Sequence, residues 1–237
     1  MMKAKELLDA GKVREAEKAL SSFLRDNPAD TTQRTFLFEL LCFSGQYDRA
    51  EKQLSVLAKG SHEAEMGAVL YYSALHGERT RNSMFQNQEF PKTPAAPSRP
   101  GKLNGKPFQS ISDADPAIGP RLEMYAAGAY LWIPFEHIAS VEIAPPRVLR
   151  DTLWASAFVL TGPSFKGTDI GQVIIPAIYP FSFKSDDESI WLGRGTEWVA
   201  DDEGHEFPVG QKIFIVDGEE VPLLEIRSLE FTSDAAS

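Results

Sequence analysis

The chain has 237 residues, 43% hydrophobic and 24% charged, a globular composition that excludes wholesale disorder, collagen-like structure and coiled-coil monotony. Asp plus Glu number 34 against 24 Lys plus Arg, and the formal charge of −10 opposes phosphate backbones and anionic headgroups, so neither nucleic acid nor a membrane surface is an expected partner. A single cysteine, Cys42, rules out an internal disulfide and a multi-cysteine zinc site.

The first residues, MMKAKELLDAGKVREAEKAL, contain no uninterrupted apolar run and no small-residue cleavage site, so no secretory signal is visible and a cytoplasmic protein is expected. No apolar stretch reaches the ~18 residues of a membrane helix, since GQVIIPAIYPF is broken by Pro176 and Pro180. Gly11 and Gly45 stand 34 positions apart and their surroundings agree: Leu7 meets Leu41, Ala16 meets Ala50, Glu17 meets Glu51, Lys18 meets Lys52 and Leu20 meets Leu54. Each unit reads as helix, glycine turn, helix. The period and the Gly45, Tyr47, Ala50 pattern resemble the tetratricopeptide repeat, with Pro28 closing the first unit.

A third unit begins at Glu63 to His76, but Arg79 replaces the turn glycine, so a capping helix running towards Gln88 is expected to end an array over residues 1–90. Residues 91–103 read as a linker, because Pro91, Pro94, Pro97 and Pro100, with Pro107 just beyond, oppose helix and central strand alike.

Residues 104–232 read as a mainly antiparallel β domain, expected to be barrel-like, giving an α+β protein overall. The predicted strands are Pro107 to Ser112, Leu122 to Ala126, Ala129 to Ile133, Ala139 to Ile143, Leu153 to Thr161, Gln172 to Ala177, Thr196 to Ala200, Lys212 to Val216 and Val221 to Phe231. Ala127-Gly128 and Asp217-Gly218 read as hairpin turns. Ser185 to Arg194 reads as one helix capped by Ser185, and the tail 233–237 is expected to fray.

Catalytic patterns are weak. In GPSFKGTDIG, Thr168 follows Gly167 where a phosphate-binding loop needs lysine, and Gly193-Arg194-Gly195 lacks the preceding strand and third glycine of a dinucleotide fingerprint. Glu136-His137 and His205-Glu206 set a carboxylate beside an imidazole, but adjacent strand residues face opposite ways and no HExxH spacing exists. There is no GxSxG elbow, and an apolar helix is a poor setting for a nucleophilic Cys42. The runs Asp186-Asp187-Glu188, Asp201-Asp202-Glu203 and Glu219-Glu220 read as solvated turns rather than cation ligands. No cofactor and no metal are expected. The enzymatic alternative is a metal-dependent hydrolase with His137 or His205 as base.

A recognition surface remains. First helices of such an array line a concave face, placing Lys5 and Leu8 of the first unit, Thr35, Glu39, Cys42 and Phe43 of the second, and Met66, Val69 and Ser73 of the third in one row. Leu37, Phe38 and Leu41 belong to the core. The row suits an amphipathic helix, with Lys5 and Glu39 setting orientation. Alternatively the β domain covers it, and the protein is an architectural scaffold.

Four segments, FLFELLCFSGQYDRAEKQLSVLA, GAYLWIPFEHI, VLRDTLWASA and LGRGTEW, resemble the ImpE/SciE family, also called TagJ, of bacterial type VI secretion accessory proteins. The resemblance implies a non-enzymatic cytoplasmic adaptor that binds an N-terminal helix of the small sheath subunit, TssB, and in some systems the ClpV-type disassembly ATPase. It differs from the family in its middle, where the proline-rich segment replaces helical sequence. Within WIPFEHI, Trp132 and Phe135 are expected to fill the fold or the interdomain contact. Charge is divided unevenly: residues 1–103 hold 15 Lys plus Arg and 13 Asp plus Glu, and residues 104–237 hold 9 and 21. The β region therefore carries the whole negative balance.

Overall fold

In the computed structural model, which describes residues 2–167, 169–201 and 203–232, residues 2–86 fold into helices α1 (Met2–Asp9), α2 (Val13–Asp26), α3 (Thr31–Phe43), α4 (Tyr47–Ala58) and α5 (His62–Gln86). The 34-residue offset is visible in the backbone. Gly11 (φ +74°) ends α1 and Gly45 (φ +69°) ends α3. The next amide reaches back to the same place in each unit, Lys12 to the Leu7 carbonyl (2.8 Å) and Gln46 to that of Leu41 (2.9 Å). Ala16 and Ala50 are both fully buried, so second helices approach closely at equivalent points. Asp30 caps α3 through the Gln33 amide (2.9 Å) and Ser61 caps α5 through that of Ala64 (3.1 Å), each worth ~1 kcal/mol.

The third first helix and the capping helix expected towards Gln88 are one element: α5 runs unbroken for 25 residues. With no turn glycine, the helix continues, and Arg79 at that position bridges to Asp48 (2.9 Å) and Glu51 (2.6 Å) of α4. Gly77 lies inside α5, where a Cβ would stand 2.5 Å from the Tyr125 ring, so its role is to let that ring lie against the helix. Residues 87–100 carry no regular element but are tied down. Arg121 donates to the Thr93 carbonyl (2.8 Å), Arg99 to that of Ile138 (3.1 Å), and Ser98 Oγ accepts from the Ile111 amide (2.7 Å).

The β region begins at Gly101, inside the expected linker. Eight strands form one antiparallel sheet, from one edge to the other β2 (Lys106–Phe108), β1 (Gly101–Leu103), β13 (Ser228–Phe231), β6 (Ile138–Ile143), β7 (Trp154–Thr161), β8 (Gly171–Pro176), β4 (Arg121–Ala126) and β5 (Ala129–Pro134). A three-stranded sheet, β12 (Glu219–Pro222), β11 (Ile213–Val216) and β3 (Ile111–Asp113), and a ribbon of β9 (Thr196–Ala200) with β10 (Glu206–Gly210) complete it. Among the described residues no sheet closes on itself, so the barrel-like expectation is not met. Instead α5 lies against β5, the strand at one edge, and Phe108, Phe135, Phe214, Leu223 and Phe231 share one core within the β region.

Other sequence expectations shift locally. Pro107 to Ser112 is divided between β2 and β3, and Val221 to Phe231 is broken by a 3-10 turn at Leu223–Glu225 into β12 and β13. β1 and β10 were not foreseen. Both hairpin turns have positive φ at both positions, Ala127 +48° with Gly128 +80° and Asp217 +51° with Gly218 +90°. The helix expected over Ser185 to Arg194 is only α6 (Glu188–Trp191), and Asp187, not Ser185, caps it through the Ser189 amide (2.8 Å). Gly193 at φ +65° forces the early exit. The tail 233–237, Thr168 and Asp202 lie outside the described residues.

Candidate partner-binding cleft

The sequence-predicted row separates into a covered part and an open part. Cys42 and Phe43 sit in a core shared with Leu153, Trp154, Ile178 and Leu192 of the β region, and burial pushes the Cys42 thiol well up, so it is no nucleophile. Glu39 is buried against Arg150 (3.0 Å), whose guanidinium lies over the Tyr71 ring. Burial raises its carboxyl and Arg150 opposes the rise. Leu8 is buried, Thr35 turns its hydroxyl to the Thr31 carbonyl (2.9 Å), and Lys5 is exposed. Glu39 is therefore committed to its own chain. Met66 and Val69 are 61% and 57% exposed, and Ser73 is half-buried beside them.

These three line one wall of a cleft of about 1090 Å³. Leu70 joins them on α5, and the opposite wall is the outward face of the sheet: Glu142 on β6, Ser156 and Phe158 on β7, Gln172 on β8, with the Ala127-Gly128 turn at one end and Arg227 at the other. The face follows from strand alternation. On β7 Ala155, Ala157 and Val159 point to the core while Ser156, Phe158 and Leu160 point out. Register then aligns Glu142, Phe158 and Gln172 side by side. Phe158 and Leu160 remain 42% and 46% exposed, as does Leu70 at 52%. Apolar groups thus face each other across the gap, an exposure that marks an interaction surface.

Buried polar contacts fix the walls. Arg81 on α5 binds both oxygens of Glu123 on β4 (2.7 and 2.6 Å) and the Ile178 carbonyl (2.9 Å). Lys212 bridges Glu123 and Asp113, each at 2.6 Å, and Tyr130 and Tyr179 donate hydroxyls to the same two carboxylates (2.6 and 2.8 Å). Burial would raise Glu123, but Arg81 and Lys212 outweigh it and hold the carboxyl at about 2. Glu78 accepts from the Trp154 indole (2.9 Å).

The β region also grips the repeat turns. Arg194 donates to the carbonyls of Leu8 and Asp9 (2.8 Å each), the exposed end of α1. Glu188 accepts from the Arg14 amide (2.9 Å) at the start of α2, where a carboxylate suits the helix dipole. At the second turn the Phe183 ring covers Gly45. None of these partners was legible in sequence, because each lies more than 100 positions from its mate.

The enzymatic candidates stay apart. His137 contacts Ser164 Oγ (3.0 Å), whereas His205 pairs with Asp201 (3.2 Å), and the two imidazoles share no partner. Among the described residues no group of three or more His, Cys, Asp or Glu could hold a metal ion. In GPSFKGTDIG the Phe165 ring lies against Gly167, and Thr168 falls outside the described residues. Trp132 packs with Phe85 and Phe90, joining the end of α5 to β5, and Phe135 is fully buried in the β core.

Residues 105–230 match the family model described as ImpE protein. Over 97% of its length the chain is 31% identical to the type VI secretion system accessory component TagJ of Pseudomonas aeruginosa, covering 91% of that protein. An X-ray crystal structure of a protein from Vibrio parahaemolyticus superposes with a TM-score of 0.83, covering 98% of each chain at 20% identity, which shows a shared fold.

Proposed function

The chain belongs to the ImpE family, and from that footing we propose that it is a non-enzymatic adaptor of type VI secretion, working in the cytoplasm, that holds a helix of the small sheath subunit, TssB, in the cleft between α5 and the sheet. The observation that carries this reading is the pair of facing apolar walls, Met66, Val69 and Leu70 against Phe158. A helix with side chains is ~11 Å across, so the cleft volume of about 1090 Å³ accommodates ~two helical turns. In such helix-in-groove recognition, apolar anchors at helical spacing supply affinity and rim charges set direction. Glu142 and Arg227 are the rim charges here, the roles that Glu39 and Lys5 were expected to fill.

On this reading the tetratricopeptide-like array of residues 1–90 is a rigid support, since Cys42, Phe43 and Glu39 are spent on internal contacts. Those contacts also favour the scaffold reading for the first two repeats, while the third keeps an open face. Linking the sheath subunit to a ClpV-type ATPase would need a second surface.

Calorimetric titration of the full chain with the N-terminal helix of the cognate small sheath subunit tests the reading. Micromolar binding that is lost on Val69→Glu supports it. Absence of heat at high micromolar peptide, or binding indifferent to Val69→Glu and Phe158→Glu alike, overturns it.

A further inference from the structure

The β9–β10 ribbon leaves one backbone edge unused. Its register pairs Trp198 with Pro208, Val199 with Phe207 and Ala200 with Glu206. Pro208 has no N–H, so the Trp198–Pro208 pair cannot exchange two hydrogen bonds, and the bonded pairs are the alternate ones, Glu197 with Val209 and Val199 with Phe207. The ends of the ribbon agree. The Asp201 amide bonds the His205 carbonyl (3.0 Å), in step with the bonded class. Gly210, of the other class, turns outward on β10, where its amide meets Ser182 Oγ (2.7 Å) and its carbonyl meets the Tyr179 amide (2.8 Å).

It follows that Thr196, Trp198 and Ala200 direct their N–H and C=O groups away from β10. Among the described residues no strand pairs with that side of β9. Two-stranded ribbons are marginal in water, and an open edge is a template for another strand. Trp198 stands at the middle of this edge, 46% exposed, while Trp154 and Trp191 are buried.

Charge selects the occupant. Residues 195–210 hold five Asp or Glu and no Lys or Arg. Glu197, Glu203 and Glu206 are exposed around the edge. A second copy of this ribbon would set these carboxylates against one another, whereas a basic strand would neutralise them.

We propose that the outer edge of β9 is a second docking site, which adds an extended, basic polypeptide segment as a third strand, with an apolar side chain of that segment laid on Trp198. Backbone hydrogen bonds would give affinity and alternate side chains specificity. The site is distinct from the α5 cleft and stands or falls without it.

The probe is a blocked, fluorescently labelled Lys-Val-Lys-Val-Lys-Val peptide, titrated into the full chain by anisotropy. Saturable binding that weakens with salt is expected, with a blue shift in tryptophan emission that Trp198→Phe removes. Ala200→Pro deletes an outward N–H without touching the bonds to β10 and should weaken binding by about tenfold. N-methylating alternate residues of the peptide, a change that leaves the protein intact, should do the same. Equal binding of hexalysine or of the N-methylated peptide would reduce the effect to bare charge and overturn the proposal. Concentration-dependent dimerisation abolished by Ala200→Pro would also overturn it, by assigning the edge to a second copy.

Discussion

The guanidinium of Arg81 donates to both carboxylate oxygens of Glu123, both residues 1% exposed, so the last long helix of the array and β4, next to one edge of the sheet, are joined by a fully desolvated ion pair. Such a pair contributes little over an apolar substitute, yet losing one partner strands the other. Lys212 on the far side of Glu123 and the Ile178 carbonyl against Arg81 leave few unsatisfied lone pairs or protons. The position of α5, and with it one wall of the cleft, depends on this contact.

Glu123→Ala should therefore destabilise the fold by ~3–5 kcal/mol, because Arg81 and Lys212 would remain buried without their shared counter-charge. Chemical denaturation monitored by circular dichroism measures it. A loss below ~1 kcal/mol would mean that water reaches the pair.

The same cluster gives two opposed pH responses. Glu123 is held at about 2, below its ordinary 4.5, so its contribution is complete above 4.5 and is lost as pH falls towards 2. Burial pushes Asp115 up to about 6 from 3.8, so the folded state resists its ionisation and stability falls as pH rises from about 4 to about 6. Asp115→Asn should then raise the melting temperature at pH 7.5, where the buried charge is costly, and leave it nearly unchanged at pH 4. Its amide oxygen can still accept from the Ala117 amide. An equal shift at both pH values would remove the titration argument.

The two turn glycines should differ when given a side chain. Both have positive φ, which costs ~1 kcal/mol for alanine. At Gly11 the new Cβ would meet Ser189 Cβ at an ordinary 3.6 Å, but at Gly45 it would meet the Phe183 ring at 2.7 Å. Gly45→Ala should thus cost ~1–3 kcal/mol more than Gly11→Ala, and Phe183→Ala should narrow the difference. Thermal denaturation of the three variants and the double variant checks this.

In the cleft, Val69→Glu and Phe158→Glu replace exposed apolar groups and should change stability by no more than ~0.5 kcal/mol. Each should weaken sheath-helix binding by at least ~tenfold, since a carboxylate would be desolvated against the ligand. Thr35→Glu, at a half-buried position outside the cleft lining, serves as the control, with no effect on binding expected.

Local order was readable from the residues because it rests on local chemistry. The glycine turns at a 34-residue offset, the Ala16 and Ala50 contacts and the two hairpin turns follow from backbone freedom and side-chain size, quantities that a sequence states directly. Errors arose where a neighbour decides. Arg79 could not be known to bridge to Asp48 and Glu51 of α4, and Ser185 could not be known to yield its cap to Asp187. Of the row predicted to be a groove, only Met66, Val69 and Ser73 line the cleft, because coverage of Glu39, Cys42 and Phe43 depends on Arg150 and Trp154, over 100 residues away.

Composition by itself determined that the negative charge resides in the β region and that the helices repeat, since both are properties of residues counted along the chain. Tertiary structure alone decided which apolar residues are core and which are surface. Hydrophobicity specifies that a side chain tends to leave water, but not what it packs against. Phe43 joined the core that holds Trp154 and Ile178, whereas Met66, Val69 and Phe158 border the space between two walls.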